Sequence, residues 1–364
     1  MSPKILISII LILSQFFWGD CGSSRPLVPA LYVFGDSLFD GGNNNWLPTL
    51  AKANYPPYGQ NFPKGQSTGR FTNGKLVVDF IAEYLGLPYP PPYVMPSWLR
   101  PNTLMGYNYA SGACGILPET GKDVGWCLSL DEQMRLFERS IRKHLSPKLS
   151  SVSQHLAKSI FIFSTGNNDY LGNYFGKSSN TRQRYDPQQF TQLLIDALSL
   201  NLQKLYKLGA RKVVVFELGP LGCLKSILRH SKPNGRCDEN VNQIVLNFNS
   251  QLSLMLKNLT STLENSHFIL GHAYWLGYDA IINPGSHGLS DSRNPCCKTL
   301  GNGTPTCIPV IPEVPLLQPC SNANQHFFWD DVHPSEAINS VIASTCITGS
   351  SVCLPLNIQQ LVQV

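Results

Sequence analysis

The chain has 364 residues, of which 43% are hydrophobic and 14% charged, and its formal net charge is +5. That balance excludes a disordered or collagen-like chain and leaves ample apolar material for a core. The charge is mild and no Lys/Arg block forms a stripe, so nucleic acid is not an expected partner.

The first segment, "MSPKILISIILILSQFFWGDCGSS", places Lys4 ahead of an apolar run from Ile5 to about Trp18, followed by small and polar residues. This is the layout of a secretory signal peptide, here residues 1–24, and cleavage is the expectation. The run is shorter than the roughly 20 apolar residues that span a bilayer, and no later stretch is long and apolar enough to cross one. Residues 25–364 are read as one domain, although a rule of about 150 residues per domain would allow two.

Four β-branched or aromatic runs follow in order: "ALYVFGDS", "SIFIFSTGNND", "KVVVFELGP" and "SHFILGHAY". Each predicts a buried strand that ends, on its C-terminal side, in Gly or polar residues. Leu and Ile recur every three or four places from Phe190 to Leu208 and from Val241 to Leu263, which predicts helices. Strands and helices alternate with connections too long for hairpins. The expected fold class is therefore α/β, a three-layer α/β/α sandwich with a mainly parallel central sheet. In such a sheet the ligand site lies outside the carboxyl ends of the strands, where Asp36, Ser37 and the "GNND" group fall. The Pro-rich stretches "NYPPYGQNF" and "GLPYPPPYVMPSWLRP" are ordered loops that either frame a pocket or serve as rigid surface connections.

Of eleven cysteines, loss of Cys21 with the leader leaves ten, an even number suited to an oxidising compartment. Short separations suggest Cys114 with Cys127, Cys223 with Cys237, and Cys346 with Cys353. Adjacent Cys296 and Cys297 are expected to pair outward to Cys307 and Cys320. No CxxC spacing points to a metal. Sequons at Asn258 and Asn302 are glycan acceptors in a secreted chain.

Four short stretches carry the chemistry: "FGDSLFD" (34–40), "NYASGACGI" (108–116), "STGNNDY" (164–170) and "FFWDDVHPSEA" (327–337). A Ser hydroxyl becomes a useful nucleophile when an imidazole takes its proton, and a carboxylate on the other ring nitrogen holds that imidazole. Asp330 and His333, three positions apart, fit the last two roles, and Ser37 fits the first. Pro334 reads as the first residue of a helix over "SEAINSVIA", which leaves His333 on the loop rim. A metal on Asp330, Asp331 and His333 is the weaker reading, since a mononuclear site needs three or more well-placed ligands and the rest of the chain offers no matching set. His272 and His326 have no carboxylate at a comparable offset and are read as structural.

In order and spacing the four stretches resemble the characteristic blocks of the GDSL (SGNH) esterase/lipases, above all the plant branch with its "FGDSxxDxGNNN" and "FWDxxHPTEA" patterns. "STGRFTNGK" (67–75) matches as well, so the resemblance covers nearly the whole mature chain. It implies a flavodoxin-like SGNH hydrolase fold, a carboxylic ester hydrolase with Ser37, Asp330 and His333 as its triad, and no cofactor. It also implies an oxyanion hole made of the Ser37 amide, the Gly112 amide and the Asn168 side chain. Asn167 falls at a variable position, Asp169 is expected to be a brace, and Asp36 to bind backbone amides rather than serve the triad. Asn43, Asn44 and Asn45 are expected to satisfy loop backbone groups. Ala113 and Cys114 depart from the plant pattern, which commonly shows Gly and Ala there. Two rivals keep the same fold: an acyltransferase using the same site, and a secreted binding or defence-associated protein without turnover.

Overall fold

The computed structural model describes residues 25–101, 103–176, 180–231, 236–297 and 319–364. The expectations for residues 1–24, Asn302 and Cys307 lie outside the described residues.

Five strands form one sheet in the order β1-β2-β3-β4-β5: Leu31–Gly35, Ile160–Ser164, Lys212–Phe216, His267–Gly271 and Cys353–Leu354. The first four are parallel and β5 runs antiparallel to β4. They are the four runs that the sequence marks out, each trimmed to five residues where glycine or a polar residue ends the apolar stretch. Beyond β1 a further parallel segment closes the edge. Leu31 and Val33 donate their amides to Met105 O and Tyr107 O, while Tyr109 and Ser111 donate to Val33 O and Gly35 O. Counted second in the chain, that segment gives the five parallel members the order 2-1-3-4-5 of flavodoxin-like sheets, with antiparallel β5 as a sixth member at the far edge, and the switch point lies beside β1.

The alternating strand residues feed two cores. Tyr32, Phe34, Phe161 and Phe163 face one layer, and Phe34 stacks on its register partner Phe163 with ring centroids 4.6 Å apart. Against them pack α2 (Leu130–Ser140), α3 (Pro187–Lys207) and α4 (Glu239–Thr262). Leu31, Val33, Ile160, Ile162 and Val214 face the other layer, covered by α1 (Val77–Tyr84) and α6 (Glu336–Thr348). α5 (Tyr274–Ile282) follows β4. Each fully buried aromatic or aliphatic side chain contributes about 1.5–3 kcal/mol, so both layers are needed.

Helices α3 and α4 begin before the apolar periodicity does, because their first turns are set by polar caps. Asp186 accepts the Gln189 amide ahead of Pro187, and Asp238 accepts the amides of Asn240 and Val241. Pro334 is not the first residue of α6 as expected. Ser335 is the N-cap and Glu336 the first helical residue, so the proline precedes the cap. Disulfides join Cys114 to Cys127, Cys223 to Cys237, Cys296 to Cys320 and Cys346 to Cys353, and Cys297 is also bonded. Among the described residues no helix is long and apolar enough to cross a membrane.

Candidate active site

β1 ends at Gly35, whose φ of +138° and lack of a Cβ let the chain pass the β2 terminus; a Cβ there would lie 2.0 Å from Ser164 O. Ser37 follows at once, beside the switch point. Its hydroxyl opens on the cleft rather than on bulk water, the residue being only 8% exposed. His333 Nε2 lies 2.8 Å from Ser37 Oγ, across 296 positions of chain. His333 Nδ1 lies 2.7 Å from Asp330 Oδ2 and 2.8 Å from Oδ1. With the proton on Nδ1, which the carboxylate favours, Nε2 accepts from the Ser37 hydroxyl.

Asp330 and His333 face each other because their short loop folds around the carboxylate. The backbone amides of Val332 and His333 both donate to Asp330 Oδ1, at 3.0 and 2.8 Å. The Tyr58 hydroxyl donates to Oδ2 at 2.8 Å. Burial opposes ionisation of Asp330, but His333, the Val332 amide and Tyr58 together outweigh it and hold the carboxyl below its ordinary range. Tyr58 comes from the first Pro-rich stretch. Neither such stretch lines the cleft; the first braces the carboxylate from behind. Nothing in the local spacing could have shown this, since Tyr58 and Asp330 are 272 positions apart.

The segment "STGRFTNGK" is the second brace. The Phe71 ring packs against the His333 imidazole at 5.1 Å, Thr72 Oγ1 donates to Pro334 O, and Asn73 Oδ1 accepts the Glu336 amide. Arg70 anchors the segment through paired bonds to buried Asp79 of α1, both 2.7 Å. Bidentate geometry of this kind holds the loop in one position.

Across the cleft, Asp36 accepts the Leu38 amide and the Asn167 side chain. Asp169 takes the amides of Ile116 and Leu117 and the Thr120 hydroxyl. Asn43 Nδ2 donates to Asn108 O and Ala110 O, Asn44 Nδ2 to Ala51 O and Gly112 O, and Asn45 Nδ2 to Thr68 O. Asp40 gathers the amides of Gly42, Asn43, Asn44 and Gly112. Burial pushes the carboxyls of Asp36, Asp40 and Asp169 up to about 6 despite these donors.

One expected site residue is placed otherwise. The Gly112 amide is spent on Asp40 Oδ2 at 3.0 Å, and a Cβ at Gly112 would meet Phe71 Cζ at 2.7 Å, so this glycine serves an interior packing contact. Asn168 borders the cleft, and its Nδ2 donates one hydrogen to Cys114 O at 2.9 Å, leaving the second. His272 does have a carboxylate partner: Glu217 Oε1 lies 2.8 Å from its Nδ1, contributed by the end of the neighbouring strand and invisible to any short-offset search. His326 Nδ1 pairs with the Asn294 carbonyl. Among the described residues no group of three or more His, Cys, Asp or Glu side chains could hold a metal ion.

The cleft itself has a volume of about 300 Å³ and starts at Ser37, His333 and Asn168. Its lining is largely apolar and includes Leu171, Phe216, Leu224, Ile281, Phe327 and Ile338, with Glu217 as an ionisable residue besides Asp36 and His333. A hydroxyl backed by imidazole and carboxylate, opening on an apolar trough, can take an acyl group from an ester.

The family described as GDSL-like lipase/acylhydrolase matches residues 31–345. "GDSL esterase/lipase 7" of Arabidopsis thaliana is 42% identical over 97% of this chain and 98% of its own length. "GDSL esterase/lipase At1g71691" of the same plant is 41% identical over 94% of this chain and 88% of its own. A third Arabidopsis relative, "GDSL esterase/lipase At5g08460", is 39% identical over 94% of this chain and 89% of its own. With the sheet order, the cleft and these likenesses together, the chain belongs to the GDSL lipase/acylhydrolase family of serine ester hydrolases.

Proposed function

We propose that this chain is a secreted hydrolase of aliphatic carboxylic esters that works through an acyl-serine at Ser37. Ser37 Oγ attacks the ester carbonyl while His333 Nε2 takes its proton, and Asp330 holds the resulting imidazolium. The carbonyl oxygen, now negative, is met by the backbone amide of Ser37 and the free hydrogen on Asn168 Nδ2. Collapse of the tetrahedral intermediate breaks the bond to the alcohol oxygen, which leaves with the proton from His333. Water then repeats the cycle on the acyl-serine, releasing the acid and restoring the hydroxyl. No cofactor enters this scheme.

The single observation that carries the reading is the 2.8 Å contact between Ser37 Oγ and His333 Nε2, joined to Asp330 on the far side of the ring. Secretion is supported by the leader-like first segment and by the disulfides, and exposed Asn258 is the accessible glycan acceptor among the described residues.

The apolar trough favours an alkyl acyl chain over acetate. Each buried methylene contributes about 0.8 kcal/mol, roughly a fourfold gain in kcat/KM, until the trough is filled. A series of p-nitrophenyl esters from acetate to laurate, assayed below micelle-forming concentrations, tests this. Activity should climb from acetate to a medium-length chain; acetate as the best substrate would contradict the reading. Adding a primary alcohol to the same assays separates hydrolysis from acyl transfer, and free acid should remain the main product.

A further inference from the structure

A carboxylate stands in the apolar trough away from the reacting atoms, and the ester cleavage derived above does not use it. We propose that Glu217 is a specificity-determining residue whose open acceptor sites take a hydrogen bond from a hydroxyl on the acyl chain, so that esters of hydroxylated aliphatic acids are the preferred substrates. The assignment rests on Ser37 being the nucleophile and on the acyl chain lying in the trough.

Glu217 is the first residue after β3, much as Ser37 follows β1. Two strand spacings separate those strand ends, with Ser164 and Asn167 of the β2 end on the cleft between them, so Glu217 stands roughly 10 Å from the nucleophile. An acetyl group ends far short of that point, whereas a medium-length chain passes it. The cleft there is lined by Phe216, Pro220, Leu221 and Ala273, which offer a chain hydroxyl no polar side chain. Asp36, the other carboxyl on the cleft, adjoins Ser37 at the reacting end and is taken up by the Leu38 amide and the Asn167 side chain.

The acceptor inventory of Glu217 is incomplete. The residue is only 8% exposed, yet Oε1 takes His272 Nδ1 at 2.8 Å and Oε2 has the Tyr274 amide at a long 3.3 Å. An ionised carboxylate offers about four acceptor sites, so about two stay open. Burial raises this carboxyl above its ordinary range despite His272 and the Tyr274 amide, as fits a carboxylate short of donors. Its position is fixed all the same. The Glu217 amide donates to Gly271 O at 3.0 Å, and the His272 amide to Val352 O at 2.6 Å. An alkyl chain that fills the trough expels water and leaves the open sites unpaired, while a hydroxyl at this depth pairs them. A site of this kind discriminates against the analogue that lacks the hydroxyl, because its own buried polar group is then left without a partner. An ammonium on the chain would lose its hydration to the same apolar lining at far greater cost.

The test compares kcat/KM for p-nitrophenyl esters of ω-hydroxyhexanoic, ω-hydroxyoctanoic and ω-hydroxydecanoic acids with their unhydroxylated parents, in wild type, Glu217→Leu and Glu217→Gln. In wild type at least one hydroxylated ester should exceed its parent by about 10- to 100-fold. Glu217→Leu should abolish or invert that ratio by slowing the hydroxylated ester, with the parent equal or faster. Glu217→Gln keeps the shape and one acceptor oxygen but loses the charge, and should cut the ratio by about threefold or more. If Glu217→Leu does not fold, the ratio in Glu217→Gln decides alone. Parents that outrun their hydroxylated partners at every length in wild type, or a ratio that neither substitution moves, overturn the assignment while leaving the nucleophile intact. Turnover that survives Ser37→Ala removes the hydrolase reading and this assignment with it.

Discussion

The two sides of the cleft are built in different ways. The acid–base side comes from four consecutive positions, where Asp330 accepts the amides of Val332 and His333 and turns the imidazole outward by a local fold. The donor side is assembled from the ends of β1, the edge segment 105–111 and β2, and is held by long-range bonds from Asp40, Asn44 and Asp169. A side built locally puts its chemistry into side chains that a motif can display. The other side depends on which way a peptide plane faces, and that is decided by partners some seventy positions away.

Substitution on the first side should cost most. Asp330→Asn leaves the loop polar but removes the charge that holds the His333 tautomer, and kcat should fall on the order of 10³- to 10⁴-fold with KM little changed. A loss below tenfold would mean that the carboxylate merely supports the loop. On the opposite side, Asn168→Ala removes one of several donors, and the expected loss is about 10²-fold in kcat. Should Asn168→Ala cost more than Asp330→Asn, the ranking of the two sides is inverted.

A third, smaller effect concerns stability and its sign. The buried Asp40 carboxyl, raised to about 6, contributes stability that is present below its unfolded value of about 4 and is lost as pH rises through about 6. Asp330, held low, behaves in the opposite sense: its contribution persists at neutral pH and is lost only in strong acid, as pH falls through its depressed value. Between pH 7 and pH 5 only the first of these changes. The unfolding free energy of wild type minus that of Asp40→Asn should therefore rise on acidification, by on the order of 1 kcal/mol. Denaturant melts at the two pH values measure it, and a difference that falls would show that the donor side is not braced by a carboxyl of raised pKa.

The same contrast explains what could be read from the residues alone. The four long strands and both long helices were legible because burial leaves an apolar period. Ser37, Asp330 and His333 were legible because their spacing is short or their setting, a strand end, is distinctive. Tyr58 and Phe71 were not, since each acts on a residue far away in the chain; Asp40 stands within the "FGDSxxDxGNNN" pattern, but its bond to the Gly112 amide, 72 positions on, has no local signature. At Gly112 the absence of a Cβ signals a close approach, and the structure shows that approach against the Phe71 ring. Ala113 stands where the family commonly has glycine, and its left-handed backbone, φ +68°, explains that habit. Glu217 and His272 meet across neighbouring strand ends, a pairing that requires the register of β3 and β4.

The central claim is that Ser37 is the group that takes the acyl chain. Labelling of the intact protein with a fluorophosphonate, followed by peptide mass mapping, tests it most directly. The account predicts a single adduct on the peptide that contains Ser37, absent in Ser37→Ala and greatly slowed in His333→Ala. An adduct on another residue, or equal labelling of wild type and Ser37→Ala, would contradict it.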